Sequence, residues 1–240
     1  MRECRKPIWE GETMYVKDHM TKNPFTITED TVIAKALEIM RKNSFHRLPV
    51  VDSEGKLIGL VTGGLVEESS GAKNTSLSIY ELNYLLSRTK VSEIMIRDVK
   101  TITEDLFIEE AAQKMLENEI GVLPVVDDAM QIKGIITDKD IFHAFAELLG
   151  HRKKGTRFVI ALEDRPGEFA GIVKAFADSN ANLENLAVYR SEERGTEAVI
   201  KATGEIPVED MVKKLEDAGY TIRLVRRTDD AGNVIPYPLS

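Results

Sequence analysis

Between residues 16 and 149 apolar side chains recur in two rhythms, and each rhythm comes round twice. Val32, Ile33, Ala36, Leu37 and Met40 fall at helical spacing, and so do Ile108, Ala111, Ala112, Met115 and Leu116. Asp30 or Thr31 is placed to cap the first of these helices, and Asp105 the second. Two short β-rich runs follow each helix. In the first half they are 48–51 and 57–61, joined by Asp52-Ser53-Glu54-Gly55; in the second they are 123–126 and 132–136. A further helix is clearest over 138–149. Each half thus predicts strand, helix, strand, strand, helix.

The halves are copies. Shifted by 75 residues, 16–66 aligns on 91–141 without a gap and with 18 identities in 51 positions. Ordinary composition gives about three. Thr26-Ile27-Thr28-Glu29-Asp30 falls on Thr101-Ile102-Thr103-Glu104-Asp105, and Leu48-Pro49-Val50-Val51-Asp52 on Leu123-Pro124-Val125-Val126-Asp127. A duplication of this kind decides the architecture. One copy is too small to close a large core, and two packed together are not.

Residues 67–90 repeat nothing. They open polar and turn helical, with Ile79, Leu82, Leu85 and Leu86 on one face. Gly150-His151-Arg152-Lys153-Lys154-Gly155 has the composition of a linker. A third unit begins at Thr156. Its strands are expected at 157–162, 183–189, 197–202 and 220–225. One helix carries Phe169, Ile172, Val173 and Phe176, and another spans 208–218. That order, βαββαβ, is ferredoxin-like, with two helices on one face of an antiparallel sheet. From Thr228 to Ser240 there is no period, which predicts a loose tail or an extension that docks on a partner.

Composition narrows the function. Of 240 residues 42% are hydrophobic and 30% charged, a globular balance. The formal charge of −8 gives no global attraction to phosphate backbones, which argues against nucleic acid as a partner. The single cysteine, Cys4, excludes an intrachain disulfide and a cysteine-rich zinc site. The start of the chain lacks the apolar core of a secretory signal, and no apolar run approaches the ~20 residues of a spanning helix. The expectation is a cytoplasmic chain. His19, His46, His143 and His151 stand in no spacing that suggests a metal site or a triad, and no phosphate-cradling glycine loop or nucleophile elbow is present. The sequence argues for binding rather than turnover, with no catalytic residue and no metal.

Two constellations break the repeat. Thr62 and Thr137 end matching strands, but Thr137 is followed by Asp138-Lys139-Asp140 and Thr62 by Gly63-Gly64-Leu65. A Thr and an Asp three residues apart at a strand-to-helix junction make a capping box. The same pair can present a carboxylate to a vicinal diol beside backbone N–H groups that favour anions. Phe45-His46-Arg47 precedes a strand in the first copy, and the planar, permanently charged guanidinium suits phosphate. The second copy has Ile120-Gly121-Val122 there, with no cation. One copy kept the cation and the other kept the aspartate.

These features resemble a tandem pair of cystathionine-β-synthase (CBS) domains, a Bateman module. The resemblance rests on the two Leu-Pro-Val-Val-Asp blocks, on Gly59-Leu60-Val61-Thr62 and on Gly134-Ile135-Ile136-Thr137-Asp138-Lys139-Asp140-Ile141. Residues 157–226 look like an ACT domain, through Glu163-Asp164-Arg165-Pro166-Gly167-Glu168-Phe169 and Asn182-Leu183. The order is similar to acetoin-utilisation-type (AcuB-like) regulatory proteins. The fold class expected is mixed α+β and α/β: two βαββα CBS repeats packed as a pseudo-twofold pair, then a ferredoxin-like βαββαβ ACT domain. The divisions expected are an arm (1–15), the first repeat (16–70), a connecting helix region (71–90), the second repeat (91–149), a linker (150–155), the ACT domain (156–228) and a tail (229–240).

The resemblance implies two clefts between the repeats. In one, Thr137 and Asp140 would hold the ribose of an adenosyl ligand, Pro24, Phe25 and Phe45 would border adenine, and His46, Arg47 and Lys139 would meet phosphates. The mirror cleft would use Thr62, Leu65, Val99, Lys100, Ile120 and Gly121, with Leu65 in place of the ribose-binding aspartate, and is expected to be weak or empty. In the ACT domain, Asp164, Gly167 and Asn182 occupy the positions that line an amino-acid pocket at a dimer interface. The implied protein is a non-enzymatic sensor, at least a homodimer. It takes AMP, ADP, ATP or S-adenosylmethionine as a regulatory ligand, needs no obligatory cofactor, and acts on its ACT domain or an unknown target protein. The alternative is an oligomerising adaptor with vestigial clefts.

Overall fold

The computed structural model describes residues 14–69, 79–150, 153–204 and 207–238. Expectations for the arm up to residue 13 with Cys4, for the polar stretch 70–78, and for His151 and Arg152 of the linker lie outside them. The chain divides into two compact units, Met1–Phe142 and His143–Ser240. Among the described residues no helix is long and apolar enough to cross a membrane.

The first unit carries the duplication. Its first copy comprises α1 (Val16–His19), β1 (Thr21–Lys22), β2 (Ile27–Thr28), α2 (Ile33–Asn43), β3 (Arg47–Val51), β4 (Leu57–Thr62) and α3 (Gly63–Ser69). Helix α4 (Ile79–Arg88) follows. The second copy has a 3-10 turn at Val91–Glu93, then α5 (Ile108–Glu117), β5 (Val122–Val126), β6 (Ile132–Thr137) and α6 (Asp138–Leu148), whose far end runs into the second unit. The sheets are β2-β3-β4 and β1-β6-β5.

The second sheet exposes what the sequence pattern concealed: the copies exchange their first segments. Strand β1 of the first copy pairs with β6 of the second, Thr21 opposite Ile135. The equivalent bridge, 75 residues on, joins Ile96 to Leu60 of β4. Backbone bonds repeat the exchange, Val16 N donating to Leu106 O and Val91 N to Thr31 O, both at 2.8 Å. The core around Ile33, Ala36, Leu48, Val50 and Val61 is completed by Val91 and Met95 from the other copy. Neither copy can therefore bury its own core alone. Lys56 bridges Gln131, its own counterpart, on the pseudo-twofold.

Glycine is required where the exchanged segments cross. A Cβ on Gly59 would lie 2.5 Å from Met95 Sδ and 3.1 Å from Ile96 O. Gly134 is pressed in the same way by Met20 and Thr21. The expected aspartate caps do not form. The N-caps are Val32 and Phe107, and Phe107 N donates to Glu110 Oε2 at 2.9 Å. Asp30 and Asp105 instead meet Lys90 and Lys17 at 2.5 and 2.8 Å, tying each copy to the other's opening segment. These carboxylates sit too far before the helix to reach its first N–H groups.

The second unit comprises β7 (Gly155–Leu162), α7 (Glu168–Ala177), β8 (Asn182–Ser191), β9 (Gly195–Thr203), α8 (Val208–Asp217), β10 (Thr221–Thr228) and β11 (Val234–Tyr237), in sheet order β11-β10-β7-β9-β8. Phe158, Ile160, Ile172, Phe176, Ile200, Met211 and Leu215 form its core. The expected loose tail is instead an edge strand. Asp229 Oδ1 accepts from Ala231 N and Asn233 N at 2.9 and 2.8 Å, which turns the chain so that β11 pairs antiparallel with β10. The linker is tethered too: Lys201, 2% exposed, donates its Nζ to Gly150 O at 2.5 Å and to Lys153 O. Burial foremost, then the nearby Arg157, pushes that ammonium below the usual lysine range.

Candidate functional site

A cavity of about 240 Å³ in the first unit brings together all eight residues expected in the first cleft: Pro24, Phe25, Phe45, His46, Arg47, Thr137, Lys139 and Asp140. Ser44 turns the chain out of α2 with φ 56°, and Phe45 N donates back to Met40 O at 2.8 Å, so Phe45, His46 and Arg47 enter the wall together. Phe25 and Phe45 are 52% and 40% exposed. Two aromatic faces left open to water are a platform for a flat apolar or heteroaromatic ring.

Thr137 and Asp140 form a reciprocal cap at the start of α6. Asp140 Oδ2 accepts from Thr137 N at 2.8 Å and from Thr137 Oγ1 at 2.7 Å, and Asp140 N approaches Thr137 Oγ1 at 3.4 Å. The cap leaves Oδ1 of Asp140 without a bond among the described residues, in a carboxylate whose orientation the cap has fixed. The structural and the ligand-binding readings of this pair are therefore compatible: one oxygen holds the helix and the other can accept hydroxyls.

Among the described residues, the side chains of His46, Arg47 and Lys139 have no hydrogen-bond or ion-pair partner. Three nitrogen-bearing side chains without partners in one wall, beside a helix N-terminus, make a place for an anion. Arg47 reaches it from an unexpected direction. Its backbone stands opposite Thr62, yet its Nη2 lies 3.2 Å from where a Cβ on Gly121 would be. Asp138 Oδ2 lies 2.8 Å from the same point. Gly121, expected in the mirror cleft, thus sits beside side chains that line the first cavity, and a larger residue there would press on both.

The wall also includes Thr21, Ser44, Leu48, Pro49, Val122, Ile135 and Asp138, which the sequence reading did not select. Thr21 and Ile135 arrive through the segment exchange. Asp138 was visible in the motif but looked like a helix-start residue, and its Oδ1 does accept from Lys139 N at 2.8 Å.

The mirror positions differ. Thr62 Oγ1 accepts from Leu65 N at 3.2 Å, half of the reciprocal cap, and Leu65 has no carboxylate to complete it. Lys100 is held by Asp98 at 2.8 Å. Val99, Ile120 and Gly121 are half-buried. In the second unit, Asp164 pairs with Arg190, whose Nε and Nη2 lie 3.2 and 3.3 Å from its two oxygens and hold its carboxyl below the usual range. Gly167 (φ 87°) is the N-cap of α7, and Asn182 Nδ2 donates to Glu184 Oε1 at 3.3 Å. No group of three or more His, Cys, Asp or Glu that could hold a metal occurs among the described residues.

CBS-domain family models match residues 16–63 and 91–147, and an ACT-domain model matches 156–219. A CBS domain-containing protein of Dictyostelium discoideum, DDB_G0289609, is 34% identical over 134 residues, 56% of this chain and 92% of its own. The uncharacterized protein MJ1225 of Methanocaldococcus jannaschii is 34% identical over 142 residues, 56% of this chain and 48% of its own, so the chain spans about half the length of that relative. Among solved structures, the CBS domain pair of protein MJ0100, in complex with 5′-methylthioadenosine and S-adenosyl-L-methionine, is 33% identical. It covers 55% of this chain and 96% of its own at a TM-score of 0.47.

Proposed function

Because the chain belongs to the CBS-domain family, with tandem CBS domains followed by an ACT domain, we propose that it is a non-enzymatic sensor of a phosphorylated adenosine. The observation that carries the proposal is the composition of one wall: a capped aspartate with a free oxygen, two open phenylalanine rings, and three nitrogen-bearing side chains without partners. In this reading the adenine lies against Phe25, Phe45 and Pro24. The ribose hydroxyls donate to Asp140 Oδ1. The phosphates meet Arg47, Lys139 and His46. The charges of Arg47 and Lys139 would repel a sulfonium, so AMP, ADP or ATP is favoured over S-adenosylmethionine. The mirror cleft, with Leu65 in place of the aspartate, is proposed to hold no nucleotide.

Helix α6 supports the relay. It starts at the proposed ribose site, and within the second unit the carbonyls of its last residue and of the two residues that follow accept side-chain donors. Leu148 O accepts from Asn185 Nδ2, Leu149 O from Arg157 Nη2 at 2.7 Å, and Gly150 O from Lys201 Nζ at 2.5 Å. The relay is proposed to run along this continuous stretch of chain. A ligand acts through it by binding two arrangements with different affinity.

The test is titration of the parent and of Arg47→Gln with AMP and with adenosine. The variant should lose affinity for AMP roughly tenfold or more, as expected for a charge-assisted phosphate contact, and keep its affinity for adenosine. Equal AMP affinities in both proteins would remove the phosphate assignment. No binding of either ligand to the parent would favour the adaptor reading.

A further inference from the structure

Asp138 alone among the charged residues of the cavity wall takes no part in holding the proposed nucleotide. It opens α6, and its backbone N–H donates to Gly121 O at 3.2 Å. Its Oδ1 accepts from Lys139 N at 2.8 Å, which fixes the carboxylate, and its Oδ2 has no donor among the described residues. Oδ2 lies 2.8 Å, and Arg47 Nη2 3.2 Å, from the point where a Cβ on Gly121 would stand. The two atoms are therefore no more than 6.0 Å apart, the sum of those distances, yet farther than the 4.0 Å of an ion pair.

This juxtaposition is confined to one cleft. At the 75-residue offset, the counterpart of Asp138 is Gly63 and that of Arg47 is Val122. The carboxylate and the guanidinium come from different copies and approach each other beside a glycine that leaves room for both. The helix macrodipole favours an acid at the start of α6, but it does not call for an arginine from the other copy beside that acid.

The consequence is a charge balance. Counting histidine as neutral, Arg47 and Lys139 are the positive charges of the wall, and Asp138 and Asp140 match them. Each phosphate beyond the first adds negative charge with no further cation in the wall to receive it. Arg47 and Asp138 are half-buried, where charges act on one another more strongly than in bulk water.

Resting on the phosphorylated-adenosine reading, we propose that Asp138 is a specificity residue. Its carboxylate limits the negative charge that the cleft accepts, and so selects a nucleoside monophosphate over the triphosphate. Removing that carboxylate charge favours every anionic ligand in proportion to the ligand's own charge, so the triphosphate gains most.

The experiment is calorimetric titration of the full chain, stripped of nucleotide and with magnesium chelated, with AMP and with ATP. The parent should bind AMP roughly tenfold or more tightly than ATP. Asp138→Asn should narrow that ratio roughly tenfold, and the narrowing should shrink in high salt. Loss of a purely structural contact at the start of α6 would instead weaken both nucleotides alike. An unchanged ratio in a variant that still binds AMP, or a parent that prefers ATP, overturns the role of Asp138 and leaves the phosphorylated-adenosine reading standing. No binding of either nucleotide to the parent removes that reading, and this inference with it. Asp138→Ser, a second neutral residue suited to a helix start, decides the matter if Asp138→Asn does not fold.

Discussion

Asp140→Ala separates the two roles assigned to one side chain. Its Oδ2 takes two bonds from Thr137, at 2.8 and 2.7 Å, so truncation uncaps α6. Loss of such a cap costs about 1–2 kcal/mol. In a chain of this size each kcal/mol lowers a melting temperature by roughly 2–4 °C. The free Oδ1 is assigned to the ribose hydroxyls, and a hydrogen bond to a charged group contributes about 1.5–3 kcal/mol, or roughly 10- to 150-fold in Kd. Asp140→Asn divides these effects, because its carbonyl oxygen can still accept from Thr137 while the charge is gone. We expect Asp140→Ala to lose both stability and AMP affinity. Asp140→Asn should melt within a few degrees of the parent and still bind AMP at least tenfold more weakly. Leu65→Ala should leave AMP affinity unchanged. Thermal melts beside calorimetric titration read both quantities. The reasoning fails if Asp140→Asn binds AMP like the parent, or if Leu65→Ala weakens it as much as Asp140→Ala does.

Three further outcomes follow from the fold. Met130 holds φ 63° at the turn position that Gly55 fills in the first copy, so Met130→Gly should raise stability in urea by about 0.5–1 kcal/mol; a loss would contradict the turn argument. Gly59→Val places two methyl groups where Met95 Sδ and Ile96 O already crowd a single Cβ. It should cost about 1–3 kcal/mol in the same assay, and a neutral result would refute the close crossing of the exchanged segments. Lys201→Met leaves Gly150 O and Lys153 O without their donor and should destabilise the second unit by about 1–3 kcal/mol. Because burial lowers the folded Lys201 pKa beneath its ordinary 10.5, the cost of its charge is relieved as pH rises through the folded value. Its contribution to stability therefore grows toward 10.5, and the variant should lose that alkaline gain.

The parts of the fold legible in the sequence are those carried by periodicity and by self-similarity. The 75-residue offset relates both the paired motifs and the bridges that join the copies, Thr21 to Ile135 and Leu60 to Ile96. The segment exchange itself was not legible. Its strands are two residues long or single bridges, too short to show alternation, and the pairing is with the other copy. Strand β11 was hidden by Pro236 and by the Asp229 turn, although Asp229-Asp230-Ala231-Gly232-Asn233 follows the pattern of Asp52 to Lys56 and Asp127 to Gln131. In all three, one aspartate oxygen accepts from the N–H groups two and four residues on. The burial of Lys201 was not legible, because nothing local announces that two carbonyls before β7 will cover it. In the cleft, the chemistry-bearing residues stood out wherever the copies diverge: His46 and Arg47 against Gly121 and Val122, Asp140 against Leu65. The lining contributed by strand pairing, such as Thr21, carried no such contrast.

The central claim is that one cleft per chain reads a phosphorylated adenosine. Its most direct test is calorimetric titration of nucleotide-stripped protein with AMP, ATP and S-adenosylmethionine. The account predicts saturable binding of AMP or ATP near one site per chain, with S-adenosylmethionine weaker by tenfold or more. Tighter binding of S-adenosylmethionine, or two equivalent nucleotide sites per chain, would contradict it.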